Sequence, residues 1–147
     1  MPTLARMTLR RLVASLACSI VVSGCATHPV RIPANASVGT SSRESPAAPI
    51  DRSNDPPRIV AMRFSSLDVA RGGVWSGHFV TGTNVASLEV RSNLFSIDVP
   101  RTSFGHFAFR LNVFDTPPIF IRSYRLRVIA RNASGTQSEE DLPFRIR

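Results

Sequence analysis

The sequence predicts an all-β fold, a single two-sheet sandwich of about seven strands, carried by residues 56–147 of the 147-residue chain. Three observations carry this. Apolar and polar residues alternate with period two through this segment, and no long stretch shows a helical period. Clusters of Gly, Pro, Asn and Ser separate the alternating runs. All aromatic residues, from Phe64 to Phe144, fall in the same segment, so the material for a core lies there. The runs place strands at Arg58 to Phe64, Val74 to Val80, Val85 to Arg91, Phe95 to Val99, Phe104 to Phe114, Tyr124 to Asn132 and Asp141 to Ile146. Short strands at this spacing suit a Greek-key arrangement.

Ahead of the domain, residues 1–24 have the order of a secretory signal: Arg6, Arg10 and Arg11, an apolar run from Leu12 to Val22, then small residues. The run is short of the roughly 20 apolar residues that span a bilayer. Val22-Ser23-Gly24-Cys25 resembles the lipobox of bacterial lipoproteins. That resemblance implies a diacylglycerol on the Cys25 sulfur, cleavage before Cys25 and acylation of the freed amine. Two or more chains hold a protein on a membrane stably where a single chain does not. Ala26 and Thr27 follow, without the aspartate that marks inner-membrane retention in Gram-negative lipoproteins, so the resemblance implies the outer membrane, on either side. Cys18 reads as a small apolar filler of the leader, and the surroundings of Arg10-Arg11 suit general secretion rather than twin-arginine export.

Residues 25–55 read as the lipidated cysteine and a disordered tether. From Ala26 to Asp55 there is no aromatic residue, and Pro29, Pro33, Pro46 and Pro49 stand among Ser, Thr, Ala and Asn. A flexible chain of that length would carry the domain some tens of Å from the headgroups. With Cys18 removed and Cys25 lipidated, no thiol is left for a disulfide or a thiolate metal site.

In the last two strands, Tyr124-x-Leu126-x-Val128-x-Ala130-x-Asn132-x-x-Gly135 precedes Leu142, Phe144 and Ile146 on one face. This pattern resembles strands F and G of immunoglobulin-like or fibronectin type III domains. The resemblance implies that the Tyr124 hydroxyl bonds a backbone group upstream, and that Trp75 is the large core residue of strand B. Asn132 and Gly135 are expected to turn the chain between these strands, both tolerating left-handed backbone. The antibody Cys-Trp-Cys framework is missing, and Pro117-Pro118 departs from the usual E-to-F linker.

Strand parity turns Arg125, Arg127, Ile129 and Arg131 outward, and Arg145 and Arg147 with them. Glu89 and Arg91 join from strand C, giving a basic face that is either solvated or a site for an acidic partner such as lipopolysaccharide, teichoic acid or a protein. A second candidate is the segment from Asp115 to Ser123. There Ile119, Phe120 and Ile121 either plug one end of the sandwich or contact a partner, and its X-Pro bonds are of either isomer.

Signals for chemistry are weak. Ser76 and His78 lack the Gly-x-Ser-x-Gly spacing of a nucleophile elbow. His78 and His106 want further metal ligands: His28 lies in the tether, and Asp68 and Asp98 have no fixed relation to them. Glu139-Glu140-Asp141 reads as a solvated turn rather than a calcium loop. All 18 basic residues are arginine; removing the leader leaves fifteen against 10 acids, a formal +5. No arginine-rich helix or stacking-aromatic motif points to nucleic acid. The expectation is a non-catalytic, cofactor-free, lipid-anchored module that binds an envelope protein, glycan or anionic polymer. The alternative is an accessory of an envelope assembly or secretion machine, reached by pairing an edge strand.

Overall fold

A computed structural model of the protein describes residues 30–39, 45–114 and 117–147. The leader, the lipobox, His28 and the stretch 115–116 lie outside the described residues. Among the described residues ten strands form two packed sheets. In chain order they are β1 (Ala36–Val38), β2 (Ile59–Phe64), β3 (Asp68–Val69), β4 (Val74–Thr81) and β5 (Val85–Arg91). There follow β6 (Ser96–Val99), β7 (Arg101–Ser103), β8 (His106–Asn112), β9 (Ser123–Asn132) and β10 (Gln137–Ile146), with a 3₁₀ turn at Pro118–Phe120 before β9.

One sheet has the order β1-β2-β4-β8-β7 and the other β3-β10-β9-β5-β6. The chain crosses between sheets after β2, β3, β4, β6 and β8, which makes an immunoglobulin-like Greek key: β2, β4, β8 and β7 take the places of strands A, B, E and D and face β10, β9 and β5 in those of G, F and C. The first edge is shared: β2 pairs with β4, whereas β3 runs parallel to β10. Each expected run contains a strand. The run from Phe104 to Phe114 is shorter than read, because Gly105 takes a φ of 70° and folds β7 back on β8, leaving Phe104 at a hairpin tip.

Alternation fills the space between the sheets. Phe64, Trp75 and Phe79 from one sheet meet Leu88, Leu126 and Leu142 from the other, all fully buried. Trp75 is the hub: its ring centroid lies 4.8 Å from Phe109, 4.9 Å from Phe144 and 5.9 Å from Phe95, and its Nε1 donates to the Ser66 carbonyl at 2.9 Å. Removing such large apolar surfaces from water is the main force holding the sheets together.

The expectation of a structureless tether fails in both of its described parts. Residues Ala36–Val38 add a parallel strand to β2, with Asn35 Nδ2 donating to the Ile59 carbonyl at 2.9 Å. Residues 48–55 lie across the turn between β4 and β5: Thr83 N donates to the Pro49 carbonyl at 3.0 Å, and Asp51 N donates to Thr83 Oγ1 at 3.1 Å. Asn84 Nδ2 donates to the carbonyls of Arg52 and Asp55, and Asn132 Nδ2 also reaches Asp55, at 3.2 Å. Composition reported that this segment has little to bury; it attaches through backbone hydrogen bonds instead, which composition does not encode.

The upper end of the sandwich holds the start of β4, the end of β8, the start of β9 and the end of β10, as the pairs Val74 with Asn112 and Ser123 with Arg145 show. The lower end holds the β4–β5 turn, the Phe104–Gly105 hairpin and the turn after Asn132.

Candidate functional site

The basic face forms as parity requires, but it is not a row of unopposed arginines. Register places Arg91 beside Arg127 and Asp141, and Glu89 beside Ile129 and Glu139. Arg127 Nη1 lies 3.1 Å from Glu139, and its Nε donates to Asp141 at 3.1 Å; Arg125 is 3.6 Å from Asp141 and Arg147 3.5 Å from Asp68. Glu89, 5% exposed, accepts from Ser96 Oγ at 2.5 Å, Arg91 Nε at 2.7 Å and Arg131 Nη1 at 2.9 Å. Ile129 is 3% exposed, because the guanidinium groups of Arg127 and Arg131 reach diagonally past it to Glu139 and Glu89. Arg145 remains exposed.

This corrects the sequence reading at its source. The expected strand starts at Asp141 with a solvated turn before it, but β10 begins at Gln137, and its outward positions carry Glu139 and Asp141 into register with the arginines of β9. The face is therefore a charge ladder. The hydrogen bond from Ser96, and then those from Arg131 and Arg91, hold the Glu89 carboxyl below its ordinary value against the opposing cost of its burial. Asp141 and Glu139 strengthen the charged form of Arg127 in the same way.

The upper end carries a different feature. Between the sheets a pocket of about 410 Å³ opens there, and its floor is Trp75 with Phe144 beside it. Phe95 and Ile97 of the β6 side form one wall, Leu111 and Val113 of the β8 side the other, and Asn112 is the only polar side chain in the lining. Phe120 closes part of the rim. Its position is fixed by Tyr124, whose Oη donates to the Phe120 carbonyl at 2.8 Å while accepting from Arg122 Nε at 3.1 Å.

Exposed apolar side chains ring the mouth. Phe114 is 83% and Ile119 76% exposed, with Ile121, Val74 and Leu94 more modestly so. Of the three residues offered as an end plug, only Phe120 lines the pocket; Ile119 and Ile121 stand in solvent around it. Plugging fails because the 3₁₀ turn at Pro118–Phe120 directs successive side chains to different sides. No cis peptide occurs among the described residues.

The remaining candidates are dispersed. Ser76 and His78 lie on the outer face of the first sheet, opposite Arg110 and Ala108, while His106 pairs with Val80. Among the described residues no group of three His, Cys, Asp or Glu side chains is placed to hold a metal. No helix among them is long and apolar enough to cross a membrane.

No family model matches the chain, and no curated protein matches it in sequence. A solved structure similar to it is that of a Niemann-Pick type C2 protein from the Japanese carpenter ant, at 12% identity and a TM-score of 0.42. The match covers 63% of this chain and 94% of that one.

The pocket was within partial reach of the sequence. An Ile-Phe-Ile run on a loop signals apolar surface at one end, which is where the pocket lies. Its walls gave no separate signal, since an alternating strand writes a pocket wall and a filled core in the same letters.

Proposed function

We propose that this chain is a non-catalytic binding module, anchored by lipid on Cys25 to the bacterial envelope at the outer membrane, that holds the apolar part of an envelope molecule in its upper pocket. The pocket carries this reading. Its volume, about 410 Å³, lies in the ordinary range for small-ligand sites, about 300–1,000 Å³, and its lining is apolar but for Asn112. A peptide segment would bring several backbone N–H and C=O groups into a lining that offers one polar side chain, leaving them unsatisfied. An acyl or alicyclic group has no such cost. At the ~30 Å³ that a water occupies in the liquid, the volume corresponds to about a dozen water-sized units, the scale of a medium-length acyl chain.

The charge ladder argues against the basic face as the site, because Arg91, Arg125, Arg127, Arg131 and Arg147 already pair with carboxylates. Edge-strand pairing with an envelope machine is disfavoured by length: the outermost strands, Ala36–Val38, Arg101–Ser103, Asp68–Val69 and Ser96–Val99, have two to four residues each.

The test is titration with cis-parinaric acid, a fluorescent fatty acid, against the full chain, the Val113→Trp variant that fills the pocket, and Arg127→Glu as a control. The expected result is saturable enhancement with the wild type, competed by dodecanoate, weakened about tenfold or more by Val113→Trp and little changed by Arg127→Glu; a loss of ~1.4 kcal/mol corresponds to each tenfold. Absence of saturable binding, or equal binding by wild type and Val113→Trp, refutes the pocket as the site.

A further inference from the structure

Large apolar side chains also stand in solvent at the lower end. Phe104 is 75% exposed at the tip of the β7–β8 hairpin, and the Arg101 guanidinium lies 6.0 Å from its ring and 5.3 Å from that of Phe107. Arg101 also binds the Val85 carbonyl, so the hairpin tip is braced against β5. Ile50 is 94% exposed, yet the backbone on both sides of it is fastened to Thr83. Ala48 sits so close to Gly105 that a side chain at 105 would collide with it, which brings the Ile50 segment and the Phe104 hairpin to the same place.

Two large apolar side chains are thus held outward by fixed backbone at one end. Neither is a loose chain that can fold back onto the core. Arg52, Arg58 and Arg101 are exposed at that end, with Asp51 engaged by Arg58 and the Asp55 carboxylate accepting from Arg52 N at 2.9 Å. An apolar tip beside arginines is the composition of a surface that lies at a headgroup boundary, where rings and aliphatic groups enter the acyl edge and guanidinium groups stay among phosphates.

The course of the chain says which bilayer. Asn35, the first among the described residues to bond the sandwich, donates to the carbonyl of Ile59, and Ile59 pairs with Thr81 at the lower end. Asn35 stands ten positions after Cys25, a span of about 35 Å at most. The chain that leads back to Cys25 therefore leaves the sandwich from its lower half.

We infer that the lower end is a membrane-docking face. Phe104 and Ile50 enter the bilayer that carries the Cys25 lipid, and the pocket mouth at the opposite end points away from it. The inference rests on the lipidation of Cys25 within the proposed function, and is independent of what the pocket holds.

The test uses the full lipidated chain reconstituted in phosphatidylethanolamine–phosphatidylglycerol vesicles. A bimane label is placed in turn by Phe104→Cys, Ile50→Cys and, at the upper end, Phe114→Cys, and emission is compared with and without brominated acyl chains. All three positions are exposed, so the fold tolerates the change. The expected result is loss of most of the emission at positions 50 and 104, with position 114 unaffected. Equal emission at the three positions, or quenching at 114 alone, overturns the inference. Shielding of 50 and 104 from aqueous iodide without quenching by brominated lipid points to a protein partner instead, and overturns it too. Mass spectrometry of the same preparation separates the two readings. An acyl adduct on Cys25 with unquenched labels defeats only the docking face, whereas absence of the adduct defeats lipidation and docking together.

Discussion

Glu89 concentrates the physics of the outer face of the β3-β10-β9-β5-β6 sheet. It is a carboxylate almost without solvent, given three donors, one of which, Ser96, comes from the neighbouring edge strand. Replacing it by alanine removes the acceptor of Arg91 and Arg131 together and is expected to cost about 1–3 kcal/mol, read from urea unfolding. The pH dependence has a definite sign. The folded carboxyl sits below its unfolded value, about 4.3, so its contribution is complete above that value and is lost as pH falls through the lowered folded one. The stability gap between wild type and Glu89→Ala should therefore close under acid; a gap unchanged between pH 7 and pH 3 would show that the carboxylate charge contributes nothing. Strand parity made the outward position of Arg127 and Arg131 legible. It could not supply their partners, because a counter-charge sits at a register position on another strand, and register is a property of pairing rather than of one strand.

At the level of elements, the largest departure is the segment before β2. Its sequence has the composition of disorder, and yet residues 48–55 are held by side-chain amides of Asn84 and Asn132 reaching from the sandwich. Asn132 also has a second task. Its Oδ1 accepts from Ser134 Oγ at 2.8 Å and Thr136 N at 2.9 Å, so it shapes the β9–β10 turn through its side chain, while Gly135 alone takes the left-handed backbone with a φ of 86°. The double variant Asn84→Ala with Asn132→Ala is expected to release the segment, seen as faster trypsin cleavage after Arg52 at a temperature where the sandwich stays folded. Cleavage at the wild-type rate would mean that the backbone bonds to Thr83 suffice.

For the molecule as a whole, occupancy of the pocket and stability are linked. A ligand that binds only the folded state stabilises it by about 2.7 kcal/mol at 100 times its Kd. Each kcal/mol raises the Tm of a domain of this size by about 4–8 °C. Dodecanoate below its micellar concentration should therefore raise the melting temperature of the wild type in a concentration-dependent way and leave that of Val113→Trp unmoved; identical shifts in both would assign the effect to general surface binding. The two ends are chemically distinct in the same sense. Apolar side chains at the upper end surround a cavity, and those at the lower end stand on a hydrogen-bonded base.

Period-two alternation, the confinement of aromatics to one segment and the turn residues between runs were enough to specify an all-β sandwich and the inward or outward sense of each strand residue. These are local properties, written one residue after another. The charge pairing of the arginine face, the docking of residues 48–55 and the pocket above Trp75 each arise where segments distant in the chain meet. Their energies depend on distance and desolvation across that meeting, which a single strand's pattern does not contain.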